Sequence, residues 1–372
     1  MTVVSLGTRE VQVPDLRDFT LPELTGWMTS LGEPAYRARQ VFRWLWKRPV
    51  EDFRQMTDLP MTCREVLEAQ ARIGSVGVVA VQSSRDGTRK LLLHLSDGEQ
   101  IEAVLIPEAR RLTACISTQA GCAMECGFCL TATMGLHRNL RPAEIAGQLV
   151  ALGKTLGPGE QITHIVLMGM GEPLANYTAT EKALRILVAK DGLAFAPRRI
   201  TLSTVGLVPG IRRLAQSGLG VNLAVSLTAT TDEVRDRLVP INRHYPLRAL
   251  LQACRDFPLP PRRHITFEYV LMADVNDQIE DARRLVQLLK GMRCKVNLIP
   301  LNEAPDIPFR RPARHRIETF QRTLERAGYI ATIRESRGQD ISAACGMLAT
   351  AETRLTPPAP SRKMPVRGGA VR

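Results

Sequence analysis

Residues 121–129 read Gly-Cys-Ala-Met-Glu-Cys-Gly-Phe-Cys and place three cysteines, Cys122, Cys126 and Cys129, close together. The segment directly follows a strand predicted at Thr113–Ser117 and precedes a helix predicted at Arg141–Leu152. In parallel α/β sheets, ligands bind beyond the carboxyl ends of the strands. We therefore expect a loop at that edge of a sheet to present the three thiolates together.

Strand and helix patterns alternate along the chain after these cysteines. The further predicted strands are Thr163–Met168, Arg199–Thr204, Val221–Leu227, Ile265–Leu271, Lys295–Pro300 and Ala331–Arg334. The further predicted helices are Ala179–Lys190, Leu207–Gln216, Leu247–Arg255, Gln278–Lys290 and His315–Arg326. Six successive β/α units imply an α/β fold with a parallel sheet, either open or a partial barrel. A length of about 240 residues suits a barrel-like enzyme domain.

The composition favours a polyanionic partner and argues against a membrane protein. The 372 residues carry 50 basic and 37 acidic side chains, a formal net charge of +13, and Lys or Arg that neutralises phosphates releases counterions. A basic proteome or a need for solubility would also explain this charge. No apolar run reaches the roughly 18 residues of a membrane span, and residues 1–20 lack a secretory apolar region. We expect a cytoplasmic protein.

The pattern before residue 109 differs from the alternating part. Apolar residues at helical spacing predict a small helical domain over residues 1–71, whose basic face is a candidate contact for RNA. Runs at Val76–Val81, Arg89–Leu95 and Gln100–Ile106, separated by Asp-Gly turns, predict a β-meander extension over residues 72–108. The core would then span residues 109–348. The Pro-rich, basic residues 349–372 are expected to be a disordered tail.

The eight cysteines point to metal ligation more than to disulfides. A chain of this size without a signal peptide is expected in a reducing compartment. Structural zinc sites usually have four protein ligands, and complete iron–sulfur cubanes usually have four cysteines. Three clustered thiolates without a fourth ligand favour a cluster with one open coordination position. Zinc and buried structural cysteines remain alternatives.

Polar residues follow several other predicted strands. Glu172 lies in Met168-Gly-Met-Gly-Glu-Pro173, and the later strand ends carry Ser203-Thr204, Ser226-Leu227-Thr228 and Asn302. Each residue alone is more often a helix cap or a turn residue. Around one loop of cysteines, the set could bind a polar ligand such as an amino acid or a ribose.

Two more cysteines lie in positions with chemical potential. Cys115 is in the first strand of the alternating part, and Cys345 lies in the small-residue loop Gly338-Gln-Asp-Ile-Ser-Ala-Ala-Cys-Gly346. A loop cysteine beside glycine is accessible enough to be a nucleophile, or it is incidental. The remaining cysteines, Cys63, Cys254 and Cys294, are interpreted as structural.

With these residues, the chain closely resembles the RlmN/Cfr family of radical S-adenosylmethionine (SAM) RNA methyltransferases, from about Leu21 to Met347. The resemblance implies a partial (β/α)6 barrel with a small N-terminal helical domain and the β-meander extension. Besides the cysteine motif, it covers Tyr36–Val41, Met56–Asp58, Ile106–Glu108, Gly169–Leu174, Val239–Asn242 and Ala343–Gly346.

The resemblance also implies the cofactors and their ligands. Cys122, Cys126 and Cys129 would bind a [4Fe–4S] cluster whose open iron chelates SAM. The family usually has Ser-Leu-His where this chain has Ser226-Leu227-Thr228. The residues that would hold SAM are Gly171, Glu172, Ser203, Ser226, Leu227, Thr228 and Asn302.

The activity implied by the resemblance is methylation of adenine C2 with two SAM molecules. Cys345 would carry the methyl group, Cys115 would form a transient disulfide with Cys345, and Glu102 would accept a proton. The implied substrates are 23S rRNA at the peptidyl-transferase centre and tRNA at the adenosine 3′ of the anticodon. The implied partner is an electron donor such as flavodoxin with its reductase, and we expect a monomer without membrane contact.

Three other functions remain open from the sequence. A Cfr-like enzyme would methylate C8 of the same rRNA adenine. A radical-SAM enzyme acting on a protein or small molecule would not need Cys345 and Cys115. A zinc-dependent RNA-binding protein without catalysis would be colourless and carry zinc.

Overall fold

The structure is a computed structural model that describes residues 13–349. The tail predicted over residues 349–372 lies outside the described residues, apart from Ala349. The helices are α1 (Leu21–Ser30), α2 (Ala35–Trp46), α3 (Met61–Gln70), α4 (Leu130–Thr133), α5 (Pro142–Gly153), α6 (Tyr177–Val188), α7 (Val208–Gln216), α8 (Asp232–Leu238), α9 (Leu247–Arg255), α10 (Ile279–Leu288) and α11 (Arg314–Arg326). The strands are β1 (Gly77–Ser83), β2 (Arg89–His94), β3 (Gln100–Glu108), β4 (Arg111–Cys115), β5 (Gln119–Gly121), β6 (Leu136–Asn139), β7 (His164–Leu167), β8 (Ile200–Thr204), β9 (Asn222–Ser226), β10 (Ile265–Leu271), β11 (Cys294–Pro300) and β12 (Ile330–Ile333).

Ten of these strands form one continuous sheet. Their order is β1-β2-β3-β4-β7-β8-β9-β10-β11-β12. The first four strands pair antiparallel, and every pairing from β4 to β12 is parallel. The predicted meander therefore continues directly into the parallel sheet, through the antiparallel pairing of β3 with β4.

The parallel part curls into an incomplete barrel. Cys115 on β4 and Thr332 on β12 line the same cavity, although these strands stand at opposite ends of the parallel row. A flat sheet would keep them about six strand spacings of 4.8 Å apart. This confirms the predicted partial barrel, with six helical crossovers between successive parallel strands.

The core lies between the sheet and its helices. In β10, Ile265, Phe267, Tyr269 and Leu271 share one face and are all buried, and Thr266 and Glu268 on the opposite face are buried as well, as expected for a central parallel strand covered on both faces. Helix α11 packs there through Phe320, whose ring centroid lies 5.1 Å from that of Tyr269. Burying each such ring contributes about 1.5–3 kcal/mol.

The N-terminal helices form a cluster that is tied to the start of α5. Trp46 is almost fully buried, so this tryptophan belongs to the core of the cluster. Asp18 accepts hydrogen bonds from the Arg141 guanidinium (2.5 Å) and from the backbone N–H of Ala143 (3.0 Å). These contacts place a carboxylate at the N-terminus of α5, where the helix dipole favours negative charge.

A short hairpin was not predicted from the sequence. Strands β5 and β6 pair antiparallel on either side of the cysteine segment and of α4. Strands of three and four residues carry too little periodicity to be recognised. Within the described part of the chain, no helix is both long enough and apolar enough to cross a membrane.

Candidate active site

The cysteine loop leaves β5 and ends in α4, and backbone contacts define its course. The N–H of Cys122 donates to the carbonyl of Gly135 (2.7 Å) across the hairpin, and the N–H of Gly127 donates to the carbonyl of Leu238 (3.0 Å) at the end of α8. Gly121 has φ +73°, and a Cβ there would lie 1.9 Å from the Gly135 oxygen. Glycine is therefore required for the chain to turn into the loop.

One open cavity of about 1010 Å³ is lined by the three loop cysteines and by strand-end residues. Most of the residues predicted from the sequence meet here, although they come from widely separated segments. The predicted residues in the lining are Cys122, Cys126, Cys129, Gly171, Glu172, Ser203, Ser226, Asn302 and Cys345.

Glu172 is buried in the wall of this cavity. Its two carboxylate oxygens accept hydrogen bonds from the backbone N–H groups of Leu174 (2.9 Å) and Val205 (2.8 Å). Burial raises the pKa of Glu172 to about 7, against the lowering effect of these N–H groups. The preceding Gly171, at φ +97°, has no space for a side chain because a Cβ would lie 2.5 Å from Gln119.

Leu227 and Thr228 are outside the lining, unlike Ser226. Leu227 is part of the apolar core. Thr228 is fully buried at φ +58°, and its Oγ1 has no hydrogen-bond partner. The carbonyl oxygen of Thr228 accepts from the Asn276 amide (2.6 Å). The side chains of Leu227 and Thr228 therefore pack behind the end of β9, away from the cavity.

A second cavity adjoins the first and contains Cys115. Cys345, Arg334, Met168 and Ile299 line both cavities. Burial raises the pKa of the Cys115 thiol to about 12, and the nearby Arg334 opposes this shift. Cys345 is exposed, and its proximity raises the pKa of Arg334. The two cysteines thus share a cavity with the half-buried guanidinium of Arg334.

Glu102 lines neither cavity. Its Oε1 lies 3.0 Å from Nζ of Lys90, and its Oε2 accepts from the N–H of Ala349 (3.0 Å). Burial raises the pKa of Glu102, and the Lys90 charge opposes the shift. Both oxygens of the carboxylate predicted as a proton acceptor are therefore engaged, one in an ion pair with Lys90 and the other in a hydrogen bond with the backbone of Ala349, shortly after Cys345.

The loop that carries Cys345 is held from two sides. On the meander side, Ser84 donates to Asp340 (2.6 Å) and Asp86 accepts from the N–H of Gly338 (2.9 Å). On the cluster-loop side, the N–H of Leu130 donates to the carbonyl of Gly346 (2.7 Å). Asn302 donates to the Cys345 carbonyl (3.0 Å). These bonds keep Cys345 at the junction of the two cavities.

Several residues of the site were not found from the sequence. They are Glu268 and Arg334 in the first cavity, Asn297 in the second, and Lys90 beside Glu102. A weak signal existed for Glu268, which is a charged residue inside the otherwise apolar and β-branched run Ile265–Leu271. Nothing distinguished Lys90 or Arg334 from other basic residues of a basic chain.

The donor set fits an iron–sulfur cluster. The three loop thiols face the same cavity, and burial, together with the nearby Cys129 and Cys122, raises the pKa of Cys126. Among the described residues, no three His, Cys, Asp or Glu side chains are grouped to hold a single metal ion. Thiolates at three corners of a cubane stand farther apart than the ligands of one ion, because each binds a different iron.

Known proteins match nearly the whole chain. A family model of the ribosomal RNA large subunit methyltransferase N-terminal domain matches residues 14–73, and the radical SAM superfamily model matches residues 116–286. The dual-specificity RNA methyltransferase RlmN of Syntrophus aciditrophicus is 50% identical over 335 residues, which are 90% of this chain and 96% of the relative. The protein of the same name from Geobacter sulfurreducens is 52% identical over 334 residues, 90% and 91% of the two chains.

A solved structure matches over the same extent. The crystal structure of a radical SAM methyltransferase from Sphaerobacter thermophilus superposes with a TM-score of 0.84 at 46% identity, covering 90% of this chain and 99% of that one. Similarity at this level spans the helical domain, the meander and the barrel together. The chain therefore belongs to the RlmN family of radical SAM enzymes and is a SAM-dependent methyltransferase.

Proposed function

We propose that this enzyme methylates C2 of adenine in 23S rRNA at the peptidyl-transferase centre and in tRNA at the adenosine 3′ of the anticodon. The observation that carries the proposal is the position of Cys345. It lies at the junction between the cavity of Cys122, Cys126 and Cys129 and the cavity of Cys115. A methyl carrier must reach both a methyl source and an acceptor, and this junction supports that role. The relatives' printed name, dual-specificity RNA methyltransferase, supports two RNA substrates.

The cofactors would occupy the first cavity. Cys122, Cys126 and Cys129 would hold a [4Fe–4S] cluster with one open iron, and SAM would be held by Gly171, Glu172, Ser203, Ser226, Asn302 and the backbone of Leu227 and Thr228. When bound, they supply a methyl group and, after one-electron reduction, a 5′-deoxyadenosyl radical. Adenine C2 is not nucleophilic, so a methyl transfer from SAM by polar attack would fail and radical chemistry is needed.

In this mechanism, Cys345 acts as a nucleophile and then as a carrier. Its thiolate would attack the methyl carbon of one SAM and displace S-adenosylhomocysteine, which leaves the methyl group on the sulfur of Cys345. The S-methyl group would then lose a hydrogen atom to the 5′-deoxyadenosyl radical, which leaves as 5′-deoxyadenosine, and the methylene carbon would form a bond to C2. The chain and the RNA are covalently joined at this stage.

Cys115 and Glu102 would resolve the joined species. Once the joined radical has given up one electron to the oxidised cluster, Glu102 would accept the C2 proton. The Cys115 thiolate would then attack the sulfur of Cys345, which forms the disulfide and breaks the carbon–sulfur bond, and the released carbon would take up a proton to become the methyl group of the base. The thiolate is favoured by the charge of Arg334, which lowers the pKa of Cys115 against the effect of burial. For its role, Glu102 must release the N–H of Ala349 and approach the second cavity.

RNA would be bound through charge and shape. The net charge of +13 supports a phosphate-rich partner, and residues 1–71, with their basic helices, would contact RNA. The target base must be unstacked to reach Cys345, which favours loops over duplex. An electron donor such as flavodoxin with its reductase would reduce the cluster of a monomeric, cytoplasmic enzyme.

The test is anaerobic reconstitution with iron and sulfide, followed by incubation with SAM, dithionite and unmodified 23S rRNA or tRNA. We expect a brown protein, and 2-methyladenosine by nucleoside mass spectrometry from both RNAs. Formation of 8-methyladenosine would instead assign the Cfr-like reaction, and an unmodified RNA would contradict the proposal.

A further inference from the structure

A row of polar side chains crosses the inside of the barrel at one level. Ser226 on β9 pairs in register with Glu268 on β10, Glu268 pairs with Asn297 on β11, and Asn297 pairs with Thr332 on β12. Interior positions of small barrels are usually filled with branched apolar residues. A polar row at this place therefore requires a reason beyond packing.

Glu268 is the buried charge of this row. Its side chain is 5% exposed and lies in the wall of the first cavity. One carboxylate oxygen, Oε1, accepts a hydrogen bond from the Asn297 amide (3.1 Å). The other oxygen, Oε2, is buried without a hydrogen-bond partner. A buried acceptor that lacks a partner costs about 1–3 kcal/mol, more for a charged group.

The orientation of this oxygen is set by its neighbours. The Thr332 hydroxyl donates to the side-chain oxygen of Asn297, Oδ1 (3.1 Å). This bond directs the side-chain NH₂ group of Asn297 toward Glu268. The charge of Arg334, on the same cavity wall, lowers the pKa of Glu268 against the effect of burial. An acceptor held in this way is ready for a ligand that brings a donor.

The first cavity is the place where that ligand binds. Glu268 lines the cavity of the loop cysteines and of Ser203 and Ser226, whereas Asn297 and Thr332 line the second cavity. Under the proposed function, the first cavity holds SAM. A carboxylate is a common partner for the hydroxyls of a nucleoside ribose, because both hydroxyls are donors.

We propose that Glu268 is a SAM-binding residue whose free carboxylate oxygen accepts a hydrogen bond from a ribose hydroxyl of SAM. The proposal rests on the proposed function for the identity of the ligand. It assigns to Glu268 a part in specificity, since a site built to bind a hydroxyl rejects the analogue that lacks it.

The test compares wild type with Glu268→Gln by calorimetric binding of S-adenosylhomocysteine and of its 2′-deoxy and 3′-deoxy analogues to the anaerobically reconstituted enzyme. In the variant, the amide oxygen would bond to Asn297 and the NH₂ group would face the ribose hydroxyl, so a neutral donor that can bond only to the hydroxyl oxygen replaces the charged acceptor. We expect affinity for S-adenosylhomocysteine to fall about 10-fold or more. Wild type should lose a similar factor with one deoxy analogue, whereas Glu268→Gln should lose clearly less affinity with that analogue.

The matched control is Glu335→Gln, because Glu335 is an exposed carboxylate that does not line the first cavity. It should bind all three ligands as wild type does. Melting temperature and the visible absorption of the cluster report whether each variant is folded and loaded. If Glu268→Gln does not fold, the wild-type series decides: equal affinity for all three ligands overturns the proposal.

Two further outcomes are decisive. Unchanged binding of S-adenosylhomocysteine by Glu268→Gln, with or without weaker RNA binding, overturns the proposal, since the acceptor would then serve another group. In the other outcome, the reconstituted enzyme forms no methyladenosine while the affinity lost in Glu268→Gln still depends on one ribose hydroxyl. That result contradicts the proposed function and leaves the role of Glu268 in binding intact.

Discussion

At the residue scale, Cys345 and Cys115 have different expected roles, and this gives a prediction. Cys345→Ala should abolish methylation and leave the cluster absorbance intact, because the methyl carrier is lost while the three cluster ligands remain. Cys115→Ala should still join the protein to RNA but fail to release it, because the attacking thiol is missing. Denaturing gels of protein with labelled RNA would detect that covalent species.

Two results would contradict these roles. Normal turnover by Cys345→Ala would exclude a methyl-cysteine intermediate. A Cys115→Ala variant that releases 2-methyladenosine at the wild-type rate would exclude the resolving disulfide. Cys294→Ala is a suitable control, since this cysteine lies at the start of β11 and lines neither cavity.

Glu172 gives a second prediction at the residue scale. Each of its oxygens accepts one backbone N–H, from Leu174 or from Val205. Glu172→Gln keeps only one acceptor and turns its NH₂ group toward the other N–H, so one buried donor loses its partner. We expect the free energy of unfolding of the cluster-free protein to fall by about 1–3 kcal/mol. Urea titrations measure this loss, and Glu280→Gln, at an exposed carboxylate, should leave the midpoint unchanged.

At the element scale, the β-meander serves as a support for the loop of Cys345. Asp340 of the loop accepts hydrogen bonds from the Ser84 hydroxyl (2.6 Å) and from the N–H of Arg85 (3.2 Å), both at the turn after β1. Further along, Lys90 on β2 and Glu102 on β3 form a buried ion pair beside Ala349. The strands that precede the barrel therefore position a residue that lies more than two hundred positions later.

The prediction at this scale is that Asp340→Ala loosens the loop without unfolding the protein. Because the bonds from Ser84 and Arg85 are lost, amide hydrogen exchange in peptides spanning residues 338–349 should become faster, and the core strands should exchange as before. Asp306→Ala, on another exposed loop, is the control. Identical exchange in Asp340→Ala and wild type would show that the meander does not hold the loop.

At the scale of the whole molecule, the net charge of +13 should govern RNA binding. Each phosphate contact releases counterions, so affinity for tRNA should fall at least 10-fold between 50 and 200 mM KCl. Binding of S-adenosylhomocysteine, which depends on contacts in the first cavity rather than on phosphate charges, should change little over the same range. Filter binding for tRNA and calorimetry for S-adenosylhomocysteine would measure the two dependences. A flat salt response for tRNA would mean that phosphate contacts contribute little to recognition.

The local features of this protein were predictable from the sequence. Every strand and helix of the barrel was located to within a few residues, apart from α8, because alternating apolar and helical periods are local signals. The spacing of Cys122, Cys126 and Cys129 likewise indicated metal ligation without any tertiary information. The hairpin β5–β6 was missed, since its strands are too short to carry a period.

Tertiary structure decided which of these residues meet. Curling of the sheet brings Cys115 on β4 and Thr332 on β12 to one cavity and leaves Thr228 behind the strand that presents Ser226. The folded sheet also pairs Glu102 with Lys90 and leaves one oxygen of Glu268 without a hydrogen-bond partner. The sequence by itself determined the elements and the grouping of the three cysteines that are proposed to bind the cluster, because these depend on spacing along the chain. The environment of each buried charge depends on contacts between distant segments, which only the folded sheet brings together.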